Sequence, residues 1–196
     1  MTQAPTEMTE RRAGRYGREF DFALIVDRVE ELTEAVANAL FEAGCDDATP
    51  SMQHGLLYVE FSREAATLDQ AILSGITDVR RAGIGGEVLR VDECDLVTKA
   101  DIARRANVSR QRVGQYIAGQ RGPGGFPPPE CHLTDDKPLW SWCEVSHWLA
   151  SNHLLSPETH NEAEAVAAIN NRLEMGRHRR RRPDLAASLD QKLTSA

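Results

Sequence analysis

The chain is organised around one stretch, Thr98-Lys-Ala-Asp-Ile-Ala-Arg-Arg-Ala-Asn-Val-Ser-Arg-Gln-Arg-Val-Gly-Gln-Tyr-Ile117. It predicts two short helices, because Thr98 and Ser109 are residue types whose side-chain oxygens cap the free amides of a first helical turn. A valine precedes each of them, and Ile102 or Val113 follows four residues on, which is the spacing of a hydrophobic staple. The residues between the two helices leave room only for a tight turn. The stretch therefore predicts a helix-turn-helix.

The two predicted helices have an apolar side and a polar side. The apolar cluster is expected to contain Ile102, Ala103, Val108, Val113 and Ile117. The outward face of the second helix, 110–118, carries Arg110, Gln111, Gly114 and Gln115, flanked by Arg112 and Tyr116. Guanidinium and amide groups suit the guanine and adenine edges that the major groove exposes. We therefore predict that helix 110–118 reads the major groove of duplex DNA.

The residues after this helix pair carry a family resemblance. A Gly-rich connector leads to a Phe-Pro-Pro-Pro segment, a short alternating stretch at 130–133, a polar turn at 134–137 and a second stretch at 138–142. A helix is expected next over 144–150, and Trp140 with this helix gives the pattern Trp-x-x-x-Glu-Val-x-x-Trp-Leu. Residues 96–152 resemble the AlpA/excisionase-like branch of the MerR superfamily of winged helix-turn-helix proteins. The residues that carry the resemblance are Phe126, Pro127, Pro129, Trp140, Glu144, Val145, Trp148 and Leu149.

This resemblance implies a recognition helix in the major groove and a β-hairpin wing against the neighbouring backbone or minor groove. The wing tip departs from a basic pattern, since it holds two aspartates and a single lysine, Lys137. Combining the resemblance with the basic residues nearby gives one set of expected DNA contacts. They are Thr98, Lys99, Ser109, Arg110, Gln111, Arg112, Gln115, Tyr116, Arg121, Lys137, Arg179, Arg180, Arg181 and Arg182.

Length and composition indicate a two-domain cytoplasmic protein. A chain of 196 residues is long for one small domain and sufficient for two. No apolar run approaches the roughly 20 residues that a membrane span requires. The 4 cysteines lack the spacing of a disulfide framework, which is typical of a reduced compartment.

Charge is distributed unevenly along the chain. The net charge is −7, but residues 1–95 hold 9 basic and 19 acidic side chains, a net of −10. Residues 96–155 hold 7 basic and 5 acidic groups, and residues 156–196 hold 7 and 6, so these parts carry +2 and +1. An acidic segment cannot itself lie on phosphates. DNA contact is therefore expected from residue 96 onward.

The acidic segment, 19–95, predicts an α+β domain. Alternation indicates a strand over 20–27, a helix over 28–43 ended by Gly44, and a hairpin of strands 48–53 and 56–62 turning at His54-Gly55. Pro50 is expected on an edge strand. A capping box at Thr67 and Gln70 opens a helix that ends at Gly83, and a strand follows at 87–91. The order βαββαβ predicts a ferredoxin-like sandwich.

Such a fold invites an RNA-binding interpretation. The third strand resembles the RNP1 signature of RNA-recognition motifs at Gly55, Tyr58, Val59 and Phe61. Leu56 stands where a base-stacking aromatic is needed, however, and the domain lacks the positive field that RNA requires. We expect instead a half-apolar open sheet face that pairs with a second copy or with a partner protein. Its residues are Ala23, Ile25, Leu56, Tyr58 and Val88.

The two ends of the chain are polar. Residues 1–18 are expected to be a disordered basic arm containing Arg11, Arg12, Arg15 and Arg18. Residues 156–196 are expected to begin with a helix capped by Ser156, with Pro157 in its first turn, and ended by Gly176. The basic run 178–182 is either a solvated mobile tail or a phosphate contact. One more short helix is expected at 184–192.

Metal and catalytic sites have little support. Cys131, His132, Cys143 and His147 are zinc-ligand types, but they lack Cys-x-x-Cys or His-x-x-x-His spacing, so packing roles are favoured over a metal site. No nucleophile–base pair, phosphate-binding loop or carboxylate dyad is recognisable, so we expect neither a cofactor nor enzyme activity.

The sequence thus predicts an α+β protein with an N-terminal ferredoxin-like domain, a winged helix-turn-helix domain and a C-terminal helical tail. The expected function is a dimeric, sequence-specific regulator of transcription that binds double-stranded DNA. One alternative is an excisionase-like factor that bends DNA for a recombinase. The other is an antitoxin or adaptor whose acidic domain binds a partner protein.

Overall fold

Two packing units divide the chain between Asp92 and Glu93 in the computed structural model. The structure describes residues 17–134 and 137–193. Nearly all of the predicted basic arm, including Arg11, Arg12 and Arg15, lies outside the described residues, as do the two aspartates of the predicted wing tip. Within the described ranges, none of the helices has the length and hydropathy needed to cross a membrane.

The N-terminal unit pairs four antiparallel strands with two helices. Along the chain these are β1 (Arg18–Asp27), α1 (Glu34–Glu42), β2 (Ala48–Gln53), β3 (Leu56–Ala65), α2 (Leu68–Arg81) and β4 (Glu87–Val91). The strands lie in the order β2-β3-β1-β4. β2 is therefore an edge strand, and this is where Pro50 was expected. His54 and Gly55 turn the β2–β3 hairpin with φ values of 52° and 77°, as their sequence predicted.

The core of this unit follows from the alternation of apolar residues along β1. Phe20, Phe22, Leu24 and Val26 are all buried on one face of the strand. The Phe22 ring stacks on Phe61 of β3, with ring centroids 5.0 Å apart. Leu57, Val59 and the α2 residues Ala71, Ile72, Ile76 and Val79 are buried as well.

α1 is shorter than the predicted helix over 28–43. It begins only at Glu34, because Thr33 caps it by accepting a hydrogen bond from the amide of Val36 at 3.3 Å. Arg28 has a φ of 66°, a left-handed conformation that interrupts a helix. Val29 is nevertheless buried from this irregular segment. In the sequence, Val29 has the spacing of a further apolar residue on the same helical face. The predicted helix was therefore wrong over 28–33.

Two further expectations for the N-terminal unit are corrected. Thr67 is the N-cap of α2, but its side chain makes no capping hydrogen bond, so the predicted capping box is not formed. Val88 lies in the core and not on the open sheet face, because a register shift between Ile25 and Val26 pairs Val88 with Val26.

The C-terminal unit is mainly helical. Its elements are β5 (Leu96–Val97), α3 (Lys99–Arg105), α4 (Arg110–Ile117), β6 (Trp140–Ser141), α5 (Trp142–Ser151), α6 (Pro157–Arg181) and α7 (Pro183–Leu193). The predicted cluster forms, since Ile102, Ala103 and Val113 are buried, and Val108 and Ile117 pack against them. Aromatic residues from β6 and α5 join the same core, among them Trp140 and Trp148.

Among the described residues of the predicted wing hairpin, the strand pairing consists of one bridge, between Cys131 and Leu139. The next two residues pair elsewhere, with Trp140 opposite Val97 and Ser141 opposite Leu96. The backbone of Trp142 adds a hydrogen bond to Asp95 O at 2.7 Å. The end of the predicted hairpin thus joins a short two-stranded sheet with the segment that precedes α3.

The tail also differs from its prediction. α6 begins after the Ser156 cap, as expected, but continues through Gly176 to Arg181. An interior glycine costs a helix only about 1 kcal/mol relative to alanine, so it does not by itself end one. The arginine run therefore lies in the last turn of a helix. α7 matches the short helix that was expected at 184–192.

Candidate nucleic-acid interface

α3 starts with a capping box. Thr98 Oγ1 accepts a hydrogen bond from the Asp101 amide at 3.2 Å, and Asp101 Oδ2 accepts from the Thr98 amide at 3.1 Å. The Thr98 hydroxyl also donates to Asp101 Oδ2 at 2.6 Å. These bonds to Thr98, with a further one from Arg104, lower the pKa of the Asp101 carboxyl to about 2. The Thr98 hydroxyl, an expected DNA contact, is thus already engaged within the protein.

The turn between α3 and α4 is tight. Asn107 adopts a φ of 51°, a conformation that asparagine tolerates better than most residues. The Val108 amide then donates to Ala103 O at 2.9 Å. Ser109 caps α4 by accepting from the Arg112 amide at 3.1 Å, as predicted. The start of α4 is therefore fixed relative to the end of α3.

The inner face of α4 includes Tyr116, which was expected on the outer surface. Tyr116 is only 4% exposed, and its ring lies 5.3 Å from that of Trp148 in α5. Val113 on the same face is fully buried. Val113 and Tyr116 are three residues apart and therefore share one side of the helix. Tyr116 is corrected from a DNA contact to a core residue.

The outer face of α4 is polar. Arg110, Gln111 and Arg112 are exposed, and Gln115 is half-buried. Lys99 at the start of α3, Arg121 after α4 and Lys137 beside the Cys131–Leu139 bridge are exposed as well. A short helix thus buries one side in a well-packed core and exposes donors suited to base edges and phosphates on the other.

Two arginines of α3 make contacts within the protein. Arg104 forms an ion pair with Asp101 at 3.1 Å, and Arg105 donates to Cys94 O at 3.0 Å. The Arg105 guanidinium also lies over the Trp142 ring, 5.4 Å from its centroid. Arg105 therefore joins α3 to the start of α5.

A loop contact that the sequence did not reveal is made by Trp148. Its indole nitrogen donates to Gly124 O at 2.9 Å, and its ring meets Phe126 at 5.1 Å. Gly122 also lies against this ring, since a Cβ placed there would come within 3.3 Å of it. The Gly-rich connector after α4 is therefore anchored on α5. The Phe-Pro-Pro-Pro motif indicated that Phe126 is structurally important, but it did not indicate that Phe126 packs against Trp148.

The arginines of the basic run 178–182 differ in their contacts within the protein. Arg179 forms an ion pair with Asp190 of α7 at 3.0 Å. Arg181 and Arg182 are exposed at the end of α6. Cations at a helix C-terminus are favoured by the helix dipole. Arg179 is thus engaged within the protein, whereas the side chains of Arg181 and Arg182 are accessible to solvent.

The open sheet face of the N-terminal unit is acidic at one end. The register places Glu19 opposite Glu64, Asp21 opposite Ser62 and Ala23 opposite Glu60, and residues opposite each other lie on one face. Ile25, Leu56 and Tyr58 are half-buried there, whereas Ala23 is buried. Burial and the neighbouring Asp92 carboxylate raise the pKa of Tyr58.

The zinc-ligand residue types are dispersed. Over 17–134 and 137–193, no group of three His, Cys, Asp or Glu side chains is arranged to hold a metal ion. His147 contacts His160, with Nδ1 and Nε2 3.3 Å apart, and Cys131 takes part in the bridge to Leu139. Burial, followed by Asp95, raises the pKa of the Cys143 thiol.

The chain matches no protein-family model, no curated protein and no solved structure. What this surface does is therefore inferred from its own residues.

Proposed function

We propose that this protein is a cytoplasmic, sequence-specific regulator of transcription that binds duplex DNA through α3 and α4. The observation that carries the proposal is the two-sided character of α4. Val113 and Tyr116 fix one side in the core, while Arg110, Gln111 and Arg112 are exposed on the other. Because the core and both N-caps hold the helix firmly, its exposed donors are pre-organised for base edges in the major groove.

The architecture in this proposal is a winged helix-turn-helix of the AlpA/excisionase-like kind behind a ferredoxin-like domain. The resemblance at 96–152 and the βαββαβ order with strands β2-β3-β1-β4 support it. The segment around the Cys131–Leu139 bridge is the proposed wing, with Lys137 as its cation. Arg121, Arg181 and Arg182 add phosphate contacts in this scheme.

Charge supports the same assignment. Residues 1–95 carry a net −10, while 96–155 and 156–196 carry +2 and +1. Phosphate contacts supply most of the affinity of non-specific DNA binding, so the positive part of the chain is the expected DNA-binding part. The acidic unit then serves dimerisation or partner binding.

A salt-titrated binding assay tests the proposal. The probes are a labelled duplex from upstream of the protein's own gene and a scrambled duplex of equal length. We expect a preference for the first that persists at about 150 mM salt, because specific complexes are about 10³-fold or more tighter than non-specific ones. Equal and steeply salt-dependent binding to both would favour a DNA-bending factor instead. No binding to either would refute the proposal.

The variants Arg110→Ala and Gln111→Ala locate the surface. Each bidentate contact with a base contributes about 1–3 kcal/mol of discrimination, so we expect the preference between the two duplexes to fall. Thr49→Ala, on the edge strand of the N-terminal unit, is the control. An unchanged footprint for both α4 variants would refute the groove assignment.

A second candidate, an antitoxin-like or adaptor function, is favoured by the acidic open sheet face. Glu19, Asp21, Glu60 and Glu64 lie on it beside Ile25 and Tyr58. Like charges placed directly opposite, as at Glu19 and Glu64, are destabilising and suit a basic partner. Sedimentation of the wild type and Ile25→Arg distinguishes self-association from partner binding. A dimer that the substitution dissociates would assign the face to a second copy, and a wild-type monomer would assign it to a different protein.

A further inference from the structure

Three glycines lie inside the described helices: Gly75 in α2, Gly114 in α4 and Gly176 in α6. A glycine in a helix interior is destabilising relative to alanine, because the backbone loses more conformational freedom when it folds. The presence of glycine at each of these positions therefore needs a structural explanation. One explanation is a close neighbour within the protein, and the other is a close neighbour in a bound molecule.

Gly75 has an internal reason. A Cβ at this position would come within 3.1 Å of the Phe22 ring and 3.4 Å of the Phe61 ring. A side chain at 75 would therefore require the two rings to shift by a few tenths of an ångström. The glycine is explained by the core of the N-terminal unit.

Gly114 has no internal reason of this kind. Apart from its two chain neighbours and the adjoining backbone of α4, a Cβ built on it meets no atom of the described protein within 4 Å. Its φ is not left-handed, and α4 continues regularly on both sides of it. Alanine would therefore fit, and it would favour the helix. Neither packing nor backbone conformation accounts for the glycine.

The position of Gly114 on α4 indicates an external reason. The buried residues Val113 and Tyr116 mark the inner face of the helix. At 100° per residue, Gly114 falls on the flank between that face and the exposed face of Gln111 and Gln115. It thus adjoins the donors that the proposed function assigns to DNA.

We propose that Gly114 is the point at which duplex DNA comes into van der Waals contact with the main chain of α4. This inference rests on the proposed function and specifies the geometry of that same surface. The absence of a side chain lets the helix lie deeper in the groove. Glutamine side chains are shorter than arginine, so Gln111 and Gln115 reach base edges only if the helix axis approaches closely.

The test is Gly114→Ala in the full-length protein, with Gly176→Ala as the matched control. At Gly176, a Cβ would meet only Arg180 Nη1 at 3.4 Å, an ordinary contact, so the same helix-favouring change is introduced in α6. Thermal melting and binding to the upstream and scrambled duplexes are measured for both variants and for the wild type.

We expect both variants to melt a few degrees higher than the wild type, since alanine favours each helix. Gly114→Ala is expected to lower affinity for the upstream duplex by about tenfold or more, because a methyl group inserted into a close contact forces the surfaces apart. Gly176→Ala is expected to leave affinity unchanged. Gly114→Leu should weaken binding further.

Each other outcome overturns a defined statement. A lower melting temperature for Gly114→Ala would mean that the fold itself needs the glycine, and it would overturn the inference. Undiminished binding by Gly114→Ala would overturn the inference while the proposed function stands. A wild-type protein that binds neither duplex would overturn both.

Discussion

At the scale of single residues, the N-terminal unit depends on one buried arginine. Arg63 is 8% exposed, and its guanidinium donates to both carboxylate oxygens of Asp47, to Asp78, to Ser74 and to Gly44 O, at 2.7–2.9 Å. The hydrogen bond with Asp47 is the main cause of the raised pKa of Arg63. One side chain of β3 thus connects α2 with the loop between α1 and β2.

Replacing Arg63 by alanine is expected to destabilise the N-terminal unit by about 3–5 kcal/mol. The reason is that Asp47 would keep its charge in a partly buried place without its partner, while Asp78 would keep only its ion pair with Arg81. Urea denaturation followed by circular dichroism measures the loss. Exposed Arg80 provides the control, and Arg80→Ala should change stability by less than about 0.5 kcal/mol. Equal effects of the two substitutions would contradict the role given to Arg63.

Asp101 makes the stability of the C-terminal unit dependent on acid pH. Its carboxyl has a pKa of about 2 in the folded protein, below the value of about 3.9 expected for an unfolded aspartate. The capping box therefore contributes stability that is fully present above about pH 4 and is lost as the pH falls through about 2. Melting curves of wild type and Asp101→Asn should differ at neutral pH and converge near pH 2. A constant difference at all pH values would be inconsistent with this.

At the scale of elements, helix starts in α3, α4 and α6 were predictable because their signals are local. Thr98, Ser109 and Ser156 each lie within three residues of the amide that they cap. The helix start at Glu34 was missed, since buried Val29 extended the apolar pattern of α1. The pairing of Trp140 with Val97 joins residues far apart in sequence, and periodicity carries no information on such a pairing.

The residues of the candidate site were likewise predictable where their positions depend on local sequence. The exposed residues Arg110, Gln111 and Arg112 follow from the helical period once Val113 is placed in the core. Tyr116 was misplaced because its outward position depended on where Trp148 packs, which only the tertiary structure reveals. Arg179 was likewise grouped with its neighbours, since its ion pair with Asp190 requires α7 to fold back.

The two faces of α4 should respond differently to truncation. Tyr116→Ala removes a buried ring beside Trp148 and is expected to lower the free energy of unfolding by about 3 kcal/mol or more. Gln111→Ala on the exposed face should change it by less than about 0.5 kcal/mol. Urea denaturation with tryptophan fluorescence measures both. A Tyr116→Ala variant as stable as the wild type would place the ring outside the core.

At the scale of the whole molecule, the arginines at the end of α6 are expected to contribute to DNA binding without contributing to sequence preference. Replacing both Arg181 and Arg182 by alanine should weaken binding to all duplexes about equally. The slope of log affinity against log salt should fall by about 1 for each phosphate contact removed. Arg179→Ala is the control, because that residue already pairs with Asp190. A loss confined to one duplex would contradict the phosphate role.

The pairing of β5 with β6 brings together the two ends of the chain segment that contains α3 and α4. Val97 and Trp140 hold its ends together, and the Asp95 carboxylate adds a hydrogen bond from the Cys143 amide at 2.8 Å. Closing a loop costs entropy that the contacts at its ends must offset, so we expect the β5–β6 pairing and the packing of both helices to form and to open together. Native-state hydrogen exchange should therefore show the amides of both helices opening together, with one shared free energy. The DNA-reading surface would then be present or absent as a single cooperative unit.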